Sequence, residues 1–140
     1  MLNKYIGIAI VIALVIIIVA TLNRGTTNGL RIGVVTPLTG NFAVLGEHIK
    51  NGFEMAKADI EGGKIGGQGG VGSKVEVIYE DACQPKDAVS ALTKLIMHDK
   101  ISMLGGSFCA VGFVPMISIL EQNNMIGFNT TPMPDSAMGR

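Results

Sequence analysis

Tryptophan is absent from the chain, and two Tyr and five Phe make up the aromatic complement of its 140 residues. So few rings argue against a cleft walled by stacked aromatics, the arrangement that suits flat bases and sugars. Charge is sparse as well: Lys and Arg number 11, Asp and Glu 11, and the formal net charge is zero. Setting aside Lys4 and Arg24, which flank an N-terminal apolar run, leaves 9 basic residues against the same 11 acidic ones. No basic stripe remains to follow a phosphate backbone, which excludes nucleic acid as a partner. His48 and His98 form no metal-ligand spacing with the two cysteines, Cys83 and Cys109. No positioned base accompanies either thiol, and no Ser-His-Asp set is visible. These residues predict neither an enzyme nor a bound metal or cofactor.

One glycine motif fails on its context. Gly67-Gln68-Gly69-Gly70-Val71-Gly72 matches the G-x-G-x-x-G dinucleotide pattern. It follows a helical stretch and precedes a strand, whereas phosphate cradling needs the reverse order, with amides converging at a helix N-terminus. It reads as a connector. The stretch Gly40 to Gly46 does lie between strand and helix, but lacks the Lys-Ser/Thr of a phosphate loop.

The chain opens on a long hydrophobic run. Ile6 to Leu22 carries no charge and no Pro over about 17 residues, the lower limit for a membrane-spanning helix and longer than a usual signal-peptide core. At 1.5 Å per residue it covers about 26 Å, short of a hydrocarbon layer of about 30 Å, and Tyr5 is placed to anchor its end. A cleavage site would pair Ala20 with Ile18, which is large for that position. Residues 1–24 are therefore read as a transmembrane anchor, with a cleaved signal peptide as the alternative, and residues 25–29 as a linker. Either reading exports the rest of the chain to the periplasmic or extracellular side of the membrane.

From residue 30 the pattern alternates. "LRIGVVTP", Leu30 to Pro37, is a nearly continuous apolar run closed by Pro, as in a buried parallel strand. A helix follows with Ile49, Phe53, Ala56 and Ile60 on one face and Lys50, Glu54, Lys57 and Glu61 on the other. "KVEVIYE" is a second strand, and the next helix has Pro85 in its first turn and a stripe of Ala88, Leu92, Leu95, Ile96 and Asp99. "ISMLGG" predicts a third strand, Ala110 to Asn124 a third helix facing inward with Phe113, Ile117 and Leu120, and "MIGFN" a fourth strand. This order predicts an α/β fold, a doubly wound parallel sheet whose ligands lie beyond the carboxyl ends of its strands.

Cys83 and Cys109 each fall between a strand and a helix, and in the strand order 2-1-3-4 both lie at the same edge of the sheet. In an exported domain this placement favours a cross-link over two separate thiols. Closing a loop of about 26 residues would contribute about 3.5 kcal/mol on the chain-entropy account.

"RIGVVTPLTGNFAVLGEHIKNGFEMAKADI", "KVEVIYEDACQPKDAVSALTKLI", "LGGSFCAVGF" and "MIGFNTTPMPDSA" resemble the extracytoplasmic leucine/isoleucine/valine-binding proteins, solute-binding subunits of ATP-binding-cassette importers. The resemblance implies a disulfide between Cys83 and Cys109 and two α/β lobes closing over an amino acid or related small carboxylate, with ABC permease subunits as partners. Residues 30–140 would form part of the N-terminal lobe, the second lobe being absent. It also implies ligand contacts from Leu45, from Phe108, Cys109 and Ala110, and from Thr130 and Thr131. Two positions depart from the family pattern: Ala110 replaces a hydroxyl that binds the ligand carboxylate, and Leu45 replaces an aromatic ring. A sensor ectodomain of a membrane receptor is the alternative function. An oxidoreductase is disfavoured, since no glycine fingerprint follows the first strand.

Overall fold

The computed structural model describes residues 29–65 and 74–133. The expected N-terminal anchor, the glycine connector and residues 134–140 lie outside them. Among the described residues no helix is long and apolar enough to cross a membrane.

The elements run β1 (Leu30–Thr36), a 3-10 turn (Gly40–Phe42), α1 (Ala43–Glu61), β2 (Val75–Asp81), α2 (Pro85–Met97), β3 (Met103–Ser107) and α3 (Ala110–Gln122). β1 is central, with parallel neighbours on both sides in the order β2-β1-β3. It pairs with β2 from Leu30 opposite Val75 to Thr36 opposite Asp81, and with β3 from Ile32 opposite Met103 to Val35 opposite Ser107. Two further bonds carry the ladders past the strand ends: Ala82 N to Thr36 O and Phe108 N to Val35 O. A register shift between Gly33 and Val34 leaves Gly105 as the extra residue of β3.

Helices cover both faces. α2 and α3 pack together over Val35, with Ala88, Leu92, Leu95, Phe113 and Met116 in one apolar cluster. α1 takes the opposite face, where the Phe53 ring lies against the backbone of Gly105 and Gly106. This is the doubly wound arrangement expected from the alternation. Every apolar residue of the α2 stripe is buried, and Ala91 joins them. In α3, Phe113 and Leu120 are buried, Ile117 is half-buried, and Met116, which the pattern omitted, is fully enclosed.

Three expectations need correction. Ala56 is exposed, because α1 is rolled towards β2. The Tyr79 hydroxyl donates to Glu54 Oε1 at 2.9 Å, and Glu54 and Lys57 take partly covered positions instead. β3 begins at Met103, not Ile101, because Ile101 N is used by Leu95 O in the turn that closes α2, where Lys100 adopts a left-handed φ of 53°. The fourth strand is reduced to a single parallel bridge, Leu104 to Gly127, although Leu104 N and O bond Ile126 O and Phe128 N at 3.0 Å as a strand neighbour would.

Leu92 is fully enclosed, whereas Met55 is 70% exposed. Leu92→Ala is expected to lower stability by about 2–5 kcal/mol in denaturant titrations, and Met55→Ala to change it by less than about 0.5 kcal/mol. Equal effects would contradict the packing described.

Candidate ligand-binding site

Because the strands are parallel, their carboxyl ends share one edge. Three segments emerge there: the β1–α1 loop, the turn from Ser107 into α3, and the chain from Asn129 to Thr131. The sequence-based candidates fall on these segments, apart from Leu45, which lies in the first turn of α1.

Cys109 is the N-cap of α3, with extended dihedrals and no side-chain hydrogen bond of its own. Its sulfur is bonded to that of Cys83, and the two Cα atoms are 5.2 Å apart. The cross-link read from the sequence is present, and it ties the start of α3 to the turn that opens α2. Close packing reinforces it: a Cβ on Gly112 would lie 2.7 Å from the Cys83 carbonyl oxygen, so only glycine lets the helix seat there. With α3 held this way, Gly112 N and Phe113 N both bond Cys109 O at 3.0 Å. The amides of Ala110 and Val111 have no acceptor among the described residues. They are unused donors at the positive end of a helix dipole.

Thr130 lies beside this turn. Its N and Oγ1 both donate to Ser107 O at 3.1 Å. Thr131 Oγ1 donates to Asn129 Oδ1 at 3.2 Å, while Asn129 Nδ2 donates to Thr131 O. Each hydroxyl proton thus has an acceptor within the chain, and the oxygens keep lone pairs that can accept from elsewhere. The edge offers donors at Ala110 and Val111 and acceptors at the two threonines. Phe108 and Ala110 are half-buried, and Leu45 is 43% exposed in the first turn of α1, next to exposed Phe42 and Val44.

Two depressions are found among the described residues. One, of about 240 Å³, is an apolar hollow between α3 and the chain after it, lined by Phe113, Ile117, Leu120, Met125 and Met133 among others. The second, of about 320 Å³, is bordered by Leu38, Ala43, Val44, Glu47 and Lys50. Neither includes Phe108, Cys109, Ala110 or the threonines.

Sequence reasoning missed Asp81, the last residue of β2. Its Oδ1 accepts from Leu38 N at 2.7 Å and from Thr39 N at 3.4 Å, and its Oδ2 from the Thr39 hydroxyl at 2.5 Å. The Thr39 hydroxyl, helped by the two amides, holds the carboxyl below its usual value of 3.8, against a smaller opposing effect of burial. The folded form is the one with the depressed value. Its contribution is therefore complete above the unfolded carboxylate range and is lost only as pH falls through the lowered value. The tie is intact at neutral pH. The signal available in the sequence was an acidic residue closing a strand beside a Pro-Leu-Thr-Gly loop.

Comparison with known proteins identifies the family. The family model described as "Periplasmic binding protein" matches residues 29–138. The chain belongs to the periplasmic binding protein family. It is 30% identical over 106 residues to the Leu/Ile/Val-binding protein of Escherichia coli K12, covering 74% of this chain and 27% of that protein. A solute-binding protein of an ABC transporter from R. palustris, solved with benzoate, is 28% identical with a TM-score of 0.58, over 70% of this chain and 26% of the other. The branched-chain amino acid transporter substrate-binding protein of Streptococcus pneumoniae, solved with isoleucine, shares the fold at a TM-score of 0.67 and 20% identity, over 79% and 31%. This chain therefore spans about a quarter to a third of the length of these proteins, which are binding proteins and not enzymes.

Reduction tests the role of the disulfide. Without the cross-link the unfolded chain regains loop entropy of about 3.5 kcal/mol, so the melting temperature should fall on adding a reductant. The oxidised protein should show no reactive thiol after denaturation. Stoichiometric labelling of both cysteines without reductant would refute the assignment.

Proposed function

We propose that this chain supplies the first-lobe part of an extracytoplasmic solute-binding subunit, one that delivers a branched-chain amino acid or related small carboxylate to an ABC permease. The observation that carries this reading is the pairing of unused amide donors at Ala110 and Val111 with hydroxyl acceptors at Thr130 and Thr131 on one sheet edge. A carboxylate fits the former and an ammonium group the latter. Leu45, Phe42 and Val44 add an apolar wall for the body of the ligand.

The ligands named for the relatives support the class. Leucine, isoleucine, valine and benzoate differ in amine and shape, but each is a carboxylate on an apolar body. Ala110, in place of a hydroxyl, leaves the carboxylate to the main chain. The relatives belong to transport systems, which supports transport over a sensor ectodomain. Residues 1–24 would anchor the protein at the outer face of the cell membrane, with residues 25–29 as the linker and residues 30–140 as the lobe.

A single lobe leaves one side of the ligand in water. A helix terminus contributes about 0.3–2 kcal/mol and a net hydrogen bond about 0.5–1.5 kcal/mol, which together stay below the roughly 4 kcal/mol that millimolar affinity requires. Closure by a second lobe is what raises it.

Calorimetry on the chain joined to its second lobe tests the proposal. Leucine or isoleucine should bind with micromolar or better affinity, and residues 30–140 alone should show no measurable binding. Ala110→Ser, which restores a hydroxyl donor, should tighten binding about two- to tenfold. Equal affinity for the decarboxylated amine, or no binding of any carboxylate, would overturn the reading.

A further inference from the structure

The β1–α1 loop ends at the exposed Phe42 and leads directly into the first turn of α1, which carries the exposed Val44 and Leu45. Between Thr36 and the 3-10 turn, the polar ties of its backbone converge on Asp81: Leu38 N, Thr39 N and the Thr39 hydroxyl. Asp81 has no Lys, Arg or His within salt-bridge distance among the described residues. Among the described residues the hydrogen bonds of its carboxylate all go to the loop.

The loop in turn sets α1. A Cβ on Gly46 would stand 1.8 Å from the Pro37 carbonyl oxygen, so the first turn of α1 rests directly on the strand exit. Leu38 borders the same hollow as Ala43 and Val44. A displacement of Leu38 and Thr39 therefore passes through Pro37 to the turn that holds Leu45. We propose that Asp81 is a positioning residue for ligand selectivity: it fixes the loop that places Leu45 and its apolar neighbours against the body of the ligand. The inference rests on the reading of this edge as a ligand face. It adds a residue that touches no ligand but sets how well the lobe distinguishes a large apolar side chain from a small one.

Two measurements on Asp81→Ala, Thr39→Val and Thr39→Ser decide it, each made on the chain joined to its second lobe. The first is the affinity ratio of leucine to alanine. An apolar pocket discriminates by about tenfold or more per few methylenes. Asp81→Ala and Thr39→Val should lower the ratio by about tenfold, and Thr39→Ser, which keeps the hydroxyl, should preserve it. A residue that served stability alone would weaken both ligands equally and leave the ratio unchanged, and that result would overturn the proposal.

The second measurement needs no ligand. Amide hydrogen exchange across residues 38–46 should accelerate in Asp81→Ala and Thr39→Val while exchange in α2 stays as in the parent. Unchanged exchange in the loop would overturn the proposal even if the parent binds leucine. A parent that binds neither amino acid would sink the ligand reading and the selectivity role built on it, whereas faster loop exchange would then still leave Asp81 as the loop tie. Should Asp81→Ala fail to fold, Thr39→Val carries both measurements, since it removes one hydroxyl at an exposed position.

Discussion

The central position of β1 between two parallel neighbours is the constraint on which the rest depends. Parallel pairing requires a helical crossover after each strand, and the crossovers place helices on both faces. Val34 and Val35, at 0% and 1% exposure, record the result: a strand with no solvent side. The same pairing brings every strand exit to one edge. The β1–α1 loop, the Ser107–Ala110 turn and the chain at Asn129–Thr131 are neighbours for that reason alone.

Each of the three segments is then fastened by a different kind of bond. A carboxylate holds the first through two amides and a hydroxyl. A disulfide and a glycine contact hold the second. The Ser107 carbonyl, accepting twice from Thr130, holds the third. Polar groups of the chain satisfy one another where they serve only structure. At Ala110 and Val111 the donors have no acceptor among the described residues. The surface ion pairs, such as Arg31 with Glu76 on adjacent strands and Lys94 with Glu80, add little to stability.

The periodicity of the helices was legible in the sequence wherever packing followed an unbroken stripe, as in α2 from Ala88 to Ile96. It failed for Ala56, where a polar contact between Tyr79 and Glu54, 25 residues apart, rolls the helix. The start of β3 was misplaced because Lys100 takes a left-handed conformation that only the tertiary turn dictates. Cys83 and Cys109 stood out by their rarity and by equivalent positions before helices. Asp81 did not, since an acidic residue at a strand end is ordinary until the loop it holds is visible. The threonines were found as candidates, but which of their lone pairs and protons are free is a matter of geometry that no spacing encodes.

The central claim is that the open edge, and not the hollows beside α3 or α1, receives the ligand. Amide chemical shifts report this directly. With leucine added to the isotope-labelled chain joined to its second lobe, the largest changes within residues 30–140 should fall at Ala110, Val111, Thr130 and Thr131. Changes centred instead on Phe113, Ile117 and Met125, or on Glu47 and Lys50, would contradict the account.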